Sequence, residues 1–484
     1  MPRTGKEYLE ELRDSRRVYL DGSVVEDITT HPGFAGVARS VADCYDLVAA
    51  DPDGLLTFDS PTSGERVSRA WTIPRRMEDL VERRRALKVI SEQTYGLVGR
   101  GPEHVAGFLS AFAGNADVFA RGGQSFADNV VAFYEQARDH GWYVSYVIVP
   151  PQIDRSKPAH QQEDPHLYAG VVEERDGGIV VRGAQMLGTA AAISDYILLS
   201  CIHPLRPGDE PYAISVAVPT GAKGVKLYAR RAYAASATSV FDYPLTSRFD
   251  EGDAFVVFDD VFVPWERVFV YRDIEVVRAQ FFETGAHILG NSQAQIRFWT
   301  KLEFLVGLAS AIARMNRSEK EPAVQQVLGQ MAAYAALVEG LVRAQEAHCE
   351  IDRNGMARPG RAEVYANMTF QSQIYPTLLN MLRELAGGGL LQLPSSVADF
   401  ANAETAADIG RYVQSPGVPA SERVKLLKLA WDMVGSEFAS RHHQYEMFYA
   451  GAPYMVKGFM YRNFDFGVGE SLVQRALDSY DLTS

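Results

Sequence analysis

Twice along this chain the spacing of apolar residues changes period, and these two switches constrain the fold more than any other feature. Up to about residue 140 the spacing is helical. Thr4-Gly-Lys-Glu7 is a capping box ahead of Tyr8, Leu9 and Leu12. Residues 74–95, 103–112 and 126–140 read as further helices, the first with Met77, Leu80, Val81, Leu87 and Ile90 as its stripe. At Gly141 the pattern becomes that of strands. Residues 143–149 are dense in β-branched and aromatic side chains. Residues 168–174 and 179–186 flank Asp176-Gly177-Gly178 as a hairpin, and 196–200, 213–218 and 255–258 add strands. After about Val270 long amphipathic stretches take over: 301–315, 323–352, 361–386 and 421–448, with the composition of a helical bundle. Residues 459–484 read as a tail that crosses to another subunit. The predicted fold class is α+β in three domains. A helical domain spans 1–140, a β-barrel or sandwich 141–272, and a helical bundle with its tail 273–484.

Charge and composition exclude several functions. The 484 residues carry 48 Lys and Arg against 61 Asp and Glu, a net charge of −13. General nucleic-acid binding needs a cationic surface, so none is expected. No run approaches the ~20 apolar residues of a membrane span. The N-terminus leads into a charged helix rather than a signal peptide. Cys44, Cys201 and Cys349 are the only cysteines and lie far apart, too few for a disulfide framework or a four-cysteine metal site. A reducing cytoplasm is the expected location. No dinucleotide-binding glycine motif, phosphate-binding loop or His-Glu-x-x-His occurs. Glu163-Asp-Pro-His166 and His348-Cys349-Glu350 resemble metal motifs, but a polar loop and a solvated helix face explain them better, so no metal is expected.

Four segments remain as carriers of chemistry. Gly99-Arg100-Gly-Pro-Glu-His104 is a turn that opens a helix, so that Arg100 and His104 can share one space. Around Tyr146, a strand runs into Pro150-Pro-Gln152-Ile-Asp-Arg155, whose amide and guanidinium can bind a planar heterocycle. Gly188-Thr189 offers a hydroxyl among small residues. Gln444-Tyr-Glu-Met-Phe-Tyr-Ala450-Gly451-Ala452-Pro453 is a helix end with a glycine turn. Each has a plainer reading: a surface arginine, an interior histidine, a core strand tyrosine, a turn threonine.

Together, these segments resemble one family over nearly the whole chain. The order helices, β domain, bundle, with Phe258-Asp-Asp-Val-Phe-Val-Pro-Trp-Glu-Arg267 at the second handover, is similar to the acyl-CoA dehydrogenase-type flavoprotein architecture. Thr4-Gly-Lys-Glu-Tyr-Leu, His31-Pro-Gly-Phe34, Pro151-Gln152-Ile-Asp-Arg155-Ser, Gly188-Thr189, Gly387-Gly-Gly-Leu-Leu-Gln-Leu-Pro-Ser-Ser396 and Gln444 to Gly451 resemble the FADH2-dependent oxygenase component of the 4-hydroxyphenylacetate 3-hydroxylase family. The resemblance implies a homo-oligomer, commonly a tetramer, fed with FADH2 by a separate NAD(P)H-dependent flavin reductase. It implies a two-component monooxygenase that uses O2, through a flavin C4a-hydroperoxide, to hydroxylate a phenol ortho to its hydroxyl. It assigns Arg100 to the active site and Tyr146, Gln152, Arg155, Thr189 and Ala450 to Pro453 to the flavin, with the Thr189 hydroxyl near flavin N5.

One departure stands out. The family pattern has tyrosine four residues after the arginine and histidine at the strand position before Pro-Gln; here His104 and Tyr146 are exchanged. The exchange points away from 4-hydroxyphenylacetate itself. A substituted phenol, an aryl amine or an aromatic amino acid derivative, free or carrier-tethered, in specialised biosynthesis is the expected substrate. The alternatives are non-oxygenating flavin enzymes of the same fold, a desaturase or a 4-hydroxybutyryl-CoA dehydratase. The latter needs three cysteines and a histidine around an iron–sulfur cluster. His287 could match the histidine, but no cysteine lies between Cys44 and Cys201.

Overall fold

The computed structural model describes residues 1–481. Thr4 accepts the Glu7 N–H and Glu7 the Thr4 N–H, closing the capping box of α1 (Gly5–Glu11). Helices α2 (Ala35–Ala50), α3 (Met77–Gln93), α4 (Pro102–Gly114), α5 (Asp117–Ala120) and α6 (Gln124–His140) follow. Gly141 stops α6 in the left-handed conformation, φ 66°, at the point where the apolar period changes. This part of the chain is not purely helical. It also forms β1 (Val18–Leu20), β2 (Ser23–Val24), β3 (Thr57–Asp59) and β4 (Arg66–Ser68), strands too short to produce a visible alternation.

The central region forms β5 (Val144–Val147), β6 (Gly170–Arg175), β7 (Gly178–Thr189), β8 (Tyr196–Leu199), β9 (Ser215–Pro219), β10 (Val225–Ala229), α7 (Thr246–Phe249), β11 (Asp253–Pro264) and β12 (Val268–Val270). They lie in two open sheets rather than a closed barrel. One runs β2-β1-β10-β11-β7-β6 and the other β12-β9-β8-β5. The N-terminal region thus lends β1 and β2 to the larger sheet, with β1 parallel to β10. Strand β11 is 12 residues long, where the sequence pattern stops at Phe258. Its pairing with β7 shifts register between Phe258 and Val261, and Asp260 there takes φ 53°. Asp259 pairs with Lys226 and Asp260 with Arg182, so two adjacent acids at a bulge hide the strand's continuation.

Beyond α8 (Ile274–Phe282) come the long helices α9 (Ala286–Met315) and α10 (Pro322–Ala347). A small ribbon of β13 (Glu350–Ile351) and β14 (Ala357–Arg358) leads to α11 (Arg361–Ala386), then α12 (Ala403–Tyr412), α13 (Ala420–Val434), α14 (Glu437–Phe448), α15 (Pro453–Asn463) and α16 (Gly467–Leu477). The stretch predicted as one helix over 421–448 is broken at Gly435, and the predicted tail is two helices as far as described; its last three residues lie outside the described residues. Helix α9 starts 15 residues earlier than its stripe predicts. Every residue from Ala286 to Leu302 is buried, so no polar face marks it. Gly290 lets α4 approach α9: a Cβ there would lie 2.0 Å from the Phe108 ring. That close crossing, with β5 alongside, positions the candidate site.

Candidate active site

Gly101 caps α4 and Pro102 is its first residue, so the helix begins two residues after Arg100. Arg100 and His104 are one turn apart and meet: Arg100 Nη1 lies 2.6 Å from His104 Nε2. Tyr146 comes from β5, its ring 5.6 Å from the His104 ring and 5.3 Å from the Arg100 guanidinium carbon. Phe108 closes the cluster, 5.5 Å from Tyr146. The structure therefore brings Arg100, His104 and Tyr146 together from two parts of the chain. The Tyr146 hydroxyl makes no hydrogen bond among the described residues, whereas His104 is buried and held at both ring nitrogens.

Arg100 is fixed on all sides. Its Nη2 donates to the Tyr449 carbonyl at 2.6 Å. Its backbone N–H and that of Gly99 donate to Glu251 Oε2, at 3.0 and 2.9 Å, and the Tyr143 hydroxyl donates to its carbonyl. The Tyr445 and Tyr449 rings of the last helical turn flank the guanidinium at 5.5 and 5.9 Å. Burial alone would pull the Arg100 pKa down, but the phenols of Tyr146 and Tyr445 and the Glu251 carboxylate leave it raised. Burial, and next the Arg100 charge, push His104 well below the usual imidazole range. The site is a permanent cation beside a neutral imidazole.

Thr189 ends β7 and donates its hydroxyl to Asp253 Oδ1 at 2.7 Å, which leaves its oxygen able to act only as an acceptor toward any other partner. Asp253 also holds Arg230 and Arg441, and Arg441 reaches Glu251 at 2.6 Å. Although burial raises it, Arg441 and Arg230 keep Asp253 well below the usual carboxylate range. A charged lattice thus runs from Thr189 through Asp253, Arg441 and Glu251 to the backbone of Arg100. Ala450 to Pro453 form the link from α14 to α15, with Gly451 at φ 103°. Arg100 grips the residue just before this link.

Gln152 and Arg155 lie elsewhere, exposed on the loop after β5, without a hydrogen bond or ion pair among the described residues. The loop itself is pinned, because the buried Gln162 amide donates to the carbonyls of Asp154 and Lys157. Its free donors are therefore those two side chains. Gly387 and Gly388 carry no atom within 4 Å of a would-be Cβ, an open backbone cradle. The free donors Gln152 and Arg155, the Thr189 oxygen as an acceptor, the open Gly387–Gly388 turn and the buried Tyr445 hydroxyl are each of the kind that a planar, phosphate-bearing cofactor such as FAD uses. His287, by contrast, sits among Phe282, Tyr365 and Phe459 with its pKa lowered by burial to about 4. Among the described residues no three His, Cys, Asp or Glu side chains converge as metal ligands.

Sequence reasoning missed Glu251, Asp253, Arg441 and Gln293. The cluster Asp250-Glu-Gly-Asp253, three acids around a glycine before a strand, was the available signal for two of them. Gln293 had none, sitting in the unpatterned half of α9. Two family profiles together match most of the chain: "4-hydroxyphenylacetate 3-hydroxylase N terminal" over residues 4–270 and "4-hydroxyphenylacetate 3-hydroxylase C terminal" over 277–478. The chain is 37% identical to the oxygenase component of a 4-nitrophenol 2-monooxygenase from Rhodococcus, covering 93% of this chain and 86% of that one. It is 36% identical to a Streptomyces globisporus monooxygenase acting on (3S)-3-amino-3-(3-chloro-4-hydroxyphenyl)propanoyl-[peptidyl-carrier protein SgcC2], with coverage of 93% and 85%. The crystal structure of the oxygenase component of 4-hydroxyphenylacetate 3-monooxygenase, complexed with FAD and 4-hydroxyphenylacetate, superposes with a TM-score of 0.93 at 32% identity, covering 99% of this chain and 98% of that one.

Proposed function

The chain belongs to the 4-hydroxyphenylacetate 3-hydroxylase family, and we propose that it is the oxygenase component of a two-component flavin monooxygenase that hydroxylates a phenol ortho to its hydroxyl. The observation that carries this reading is the Arg100–His104–Tyr146 constellation, a fixed cation, a neutral imidazole and a free phenol in one half-buried space. Bound as FADH2, the cofactor would supply the activation of O2 and the transfer of one oxygen atom, the other leaving as water.

The protein's own part is binding, orientation and proton handling. Arg100 draws the substrate hydroxyl toward its phenolate form, which is the electron-rich form of the ring. As the substrate oxygen takes over the Arg100 N–H, His104 Nε2 is released to accept the phenolic proton. Tyr146, whose hydroxyl is free, donates a hydrogen bond to the substrate. Gln152, Arg155, Thr189 and the Ala450–Gly451–Ala452–Pro453 turn hold the flavin. With its proton committed to Asp253, the Thr189 oxygen suits the N–H that a reduced flavin carries.

A separate flavin reductase supplies the FADH2. The exchanged His104 and Tyr146 direct the substrate class toward a substituted phenol, an aryl amine or an aromatic amino acid derivative, free or carrier-tethered. The carrier-bound substrate in the name of the Streptomyces globisporus relative supports the tethered form. A homo-oligomer, with a tetramer as the family precedent, is supported by α16, which exposes Val468, Leu472, Val473 and Leu477 and buries none of its side chains. No helix among the described residues is long and apolar enough to cross a membrane, in keeping with a cytoplasmic enzyme.

The test supplies FADH2 anaerobically, adds O2 and a panel of phenols, and follows oxygen uptake and products by mass spectrometry. A product 16 Da heavier, made in proportion to oxygen consumed, is expected. Oxygen uptake that never yields a hydroxylated ring across the panel refutes the proposal.

A further inference from the structure

His104 is not alone in its pocket. Its Nδ1 lies 2.9 Å from Gln293 Oε1 on α9, and Gln293 Nε2 donates to Glu103 Oε1 at 2.8 Å. All three side chains are buried: Gln293 and His104 are each 1% exposed, and Glu103 7%. We propose that Glu103 and Gln293 are positioning residues that hold His104 as its Nδ1–H tautomer, keeping the Nε2 lone pair on the side of Arg100 and the substrate. This inference rests on the proposed proton-accepting role of His104.

The tautomer follows from the donor and acceptor rules alone. Gln293 Nε2 donates to Glu103 Oε1, so the NH2 end of the amide is committed to the carboxyl group. That leaves the amide oxygen for His104. An amide oxygen also only accepts, so Nδ1 must carry the proton and Nε2 must be bare. Arg100 Nη1 lies 2.6 Å from Nε2 and 3.4 Å from Nδ1, and a guanidinium only donates, so its nearer contact favours the same bare Nε2. Contacts from α9 and from the start of α4 thus favour one tautomer.

The pair matters most when substrate is present. A phenol oxygen that takes the Arg100 N–H removes the constraint on Nε2, and Gln293 alone then keeps the proton on Nδ1. When the phenolic O–H breaks and Nε2–H forms, the ring becomes an imidazolium whose Nδ1–H already points at an acceptor backed by a carboxylate. The other charges that face this ring, Arg100, Arg297 and Arg83, all oppose that cation. Among the described residues, Glu103 is the one acid in hydrogen-bonded line with it. Burial raises the Glu103 pKa, partly offset by its backbone contact and by Gln293.

The experiment is ring-15N-histidine NMR, with His104→Asn used to assign the resonance. In the wild type, Nδ1 should show the shift of a protonated nitrogen and Nε2 that of a bare one. Arg100→Met should leave this unchanged, and Arg100→Met with the near-isosteric Glu103→Gln should populate both tautomers. A protonated Nε2 in the wild type, a flip in Arg100→Met alone, or a single Nδ1–H tautomer in the double variant each overturns the proposal. In turnover, Glu103→Gln should lower kcat about 10-fold with KM within about twofold. Unchanged kcat overturns the catalytic part. A fixed tautomer in a protein that hydroxylates no phenol would instead count against the proposed reaction.

Discussion

Replacing Glu446 by glutamine tests whether one buried carboxylate holds the bundle beneath the site. Glu446 is fully buried on α14 and accepts four N–H bonds. Oε1 takes Arg297 Nη1 at 2.7 Å and Lys301 Nζ at 2.6 Å, and Oε2 takes Arg297 Nη2 at 2.9 Å and Gln371 Nε2 at 2.6 Å. Whichever way the new amide turns, its NH2 faces two donors. Two hydrogen bonds to a charged group are lost, and Arg297 and Lys301 lose their counter-charge. Breaking a buried pair from one side costs about 3–5 kcal/mol. At roughly 2–4 °C per kcal/mol for a cooperative unit of about 200 residues, the melting temperature should fall by roughly 6–20 °C.

The pH dependence makes the test specific. Burial raises and the two cations lower the Glu446 pKa, to about 2, so its contribution is present above the ordinary carboxylate range and is lost only as pH falls toward 2. Burial lowers Lys301 from 10.5 to about 8 despite Glu446. Between these values the unfolded chain binds more protons, so wild-type stability gains with rising pH from about 8 to 10.5. Without Glu446 the Lys301 pKa drops further and that gain begins at lower pH. The gap between variant and wild type should therefore narrow as pH rises toward 8 and stay constant above. Thermal unfolding followed by circular dichroism at pH 6, 8 and 9 reads it. A shift below about 2 °C, or a gap that widens with pH, refutes the reasoning.

His104→Ala should cut product formation by about 10²-fold while oxygen is still consumed, and Tyr146→Phe should be milder, mainly weakening substrate binding or coupling; product against oxygen uptake separates them, and the reverse ranking would return the proton-accepting role to the strand position. The wild type should bind FADH2 more tightly than oxidised FAD. Asp253→Asn, which can present an NH2 to Thr189 and turn its proton outward, should shrink that preference about tenfold in anaerobic titrations of both forms, about 1.4 kcal/mol; an unaltered preference would sever Thr189 from flavin discrimination. Ending the chain at Asn463 should lower the oligomeric state in size-exclusion chromatography with light scattering, and an unchanged mass would show that α16 joins no subunits.

What could be read from the sequence follows from where the residues lie. Helix α11 is half-solvated, bounded by Gly360 and Gly387, and its predicted span matches the structure end to end. The first half of α9 escaped because its surroundings hide both period and polarity: His287, Asn291, Ser292, Gln293, Gln295 and Arg297 are all buried. The site divides the same way. Arg100 sits in a turn, His104 in the first turn of α4 and Tyr146 near the end of β5, all with local signatures. Their partners Gln293, Glu251 and Tyr449 lie about 150 to 350 positions away from them, and only folding brings them near.

Glu251 joins three stretches of chain through one carboxylate: the turn before α4, the loop before β11 and Arg441 on α14. For anyone recombining relatives to move substrate range, the crossover points cannot be chosen at the visible boundaries between helical and β regions. A chimera that takes its β region from one parent and its bundle from another puts the Glu251–Arg441 pair at risk, and the carboxylate that holds the backbone of residues 99 and 100 then loses its counter-charge. Residues 99–104, 250–253, 293 and 441–453 therefore form one inheritable block that should travel together, while the exposed loop carrying Gln152 and Arg155 can be exchanged on its own.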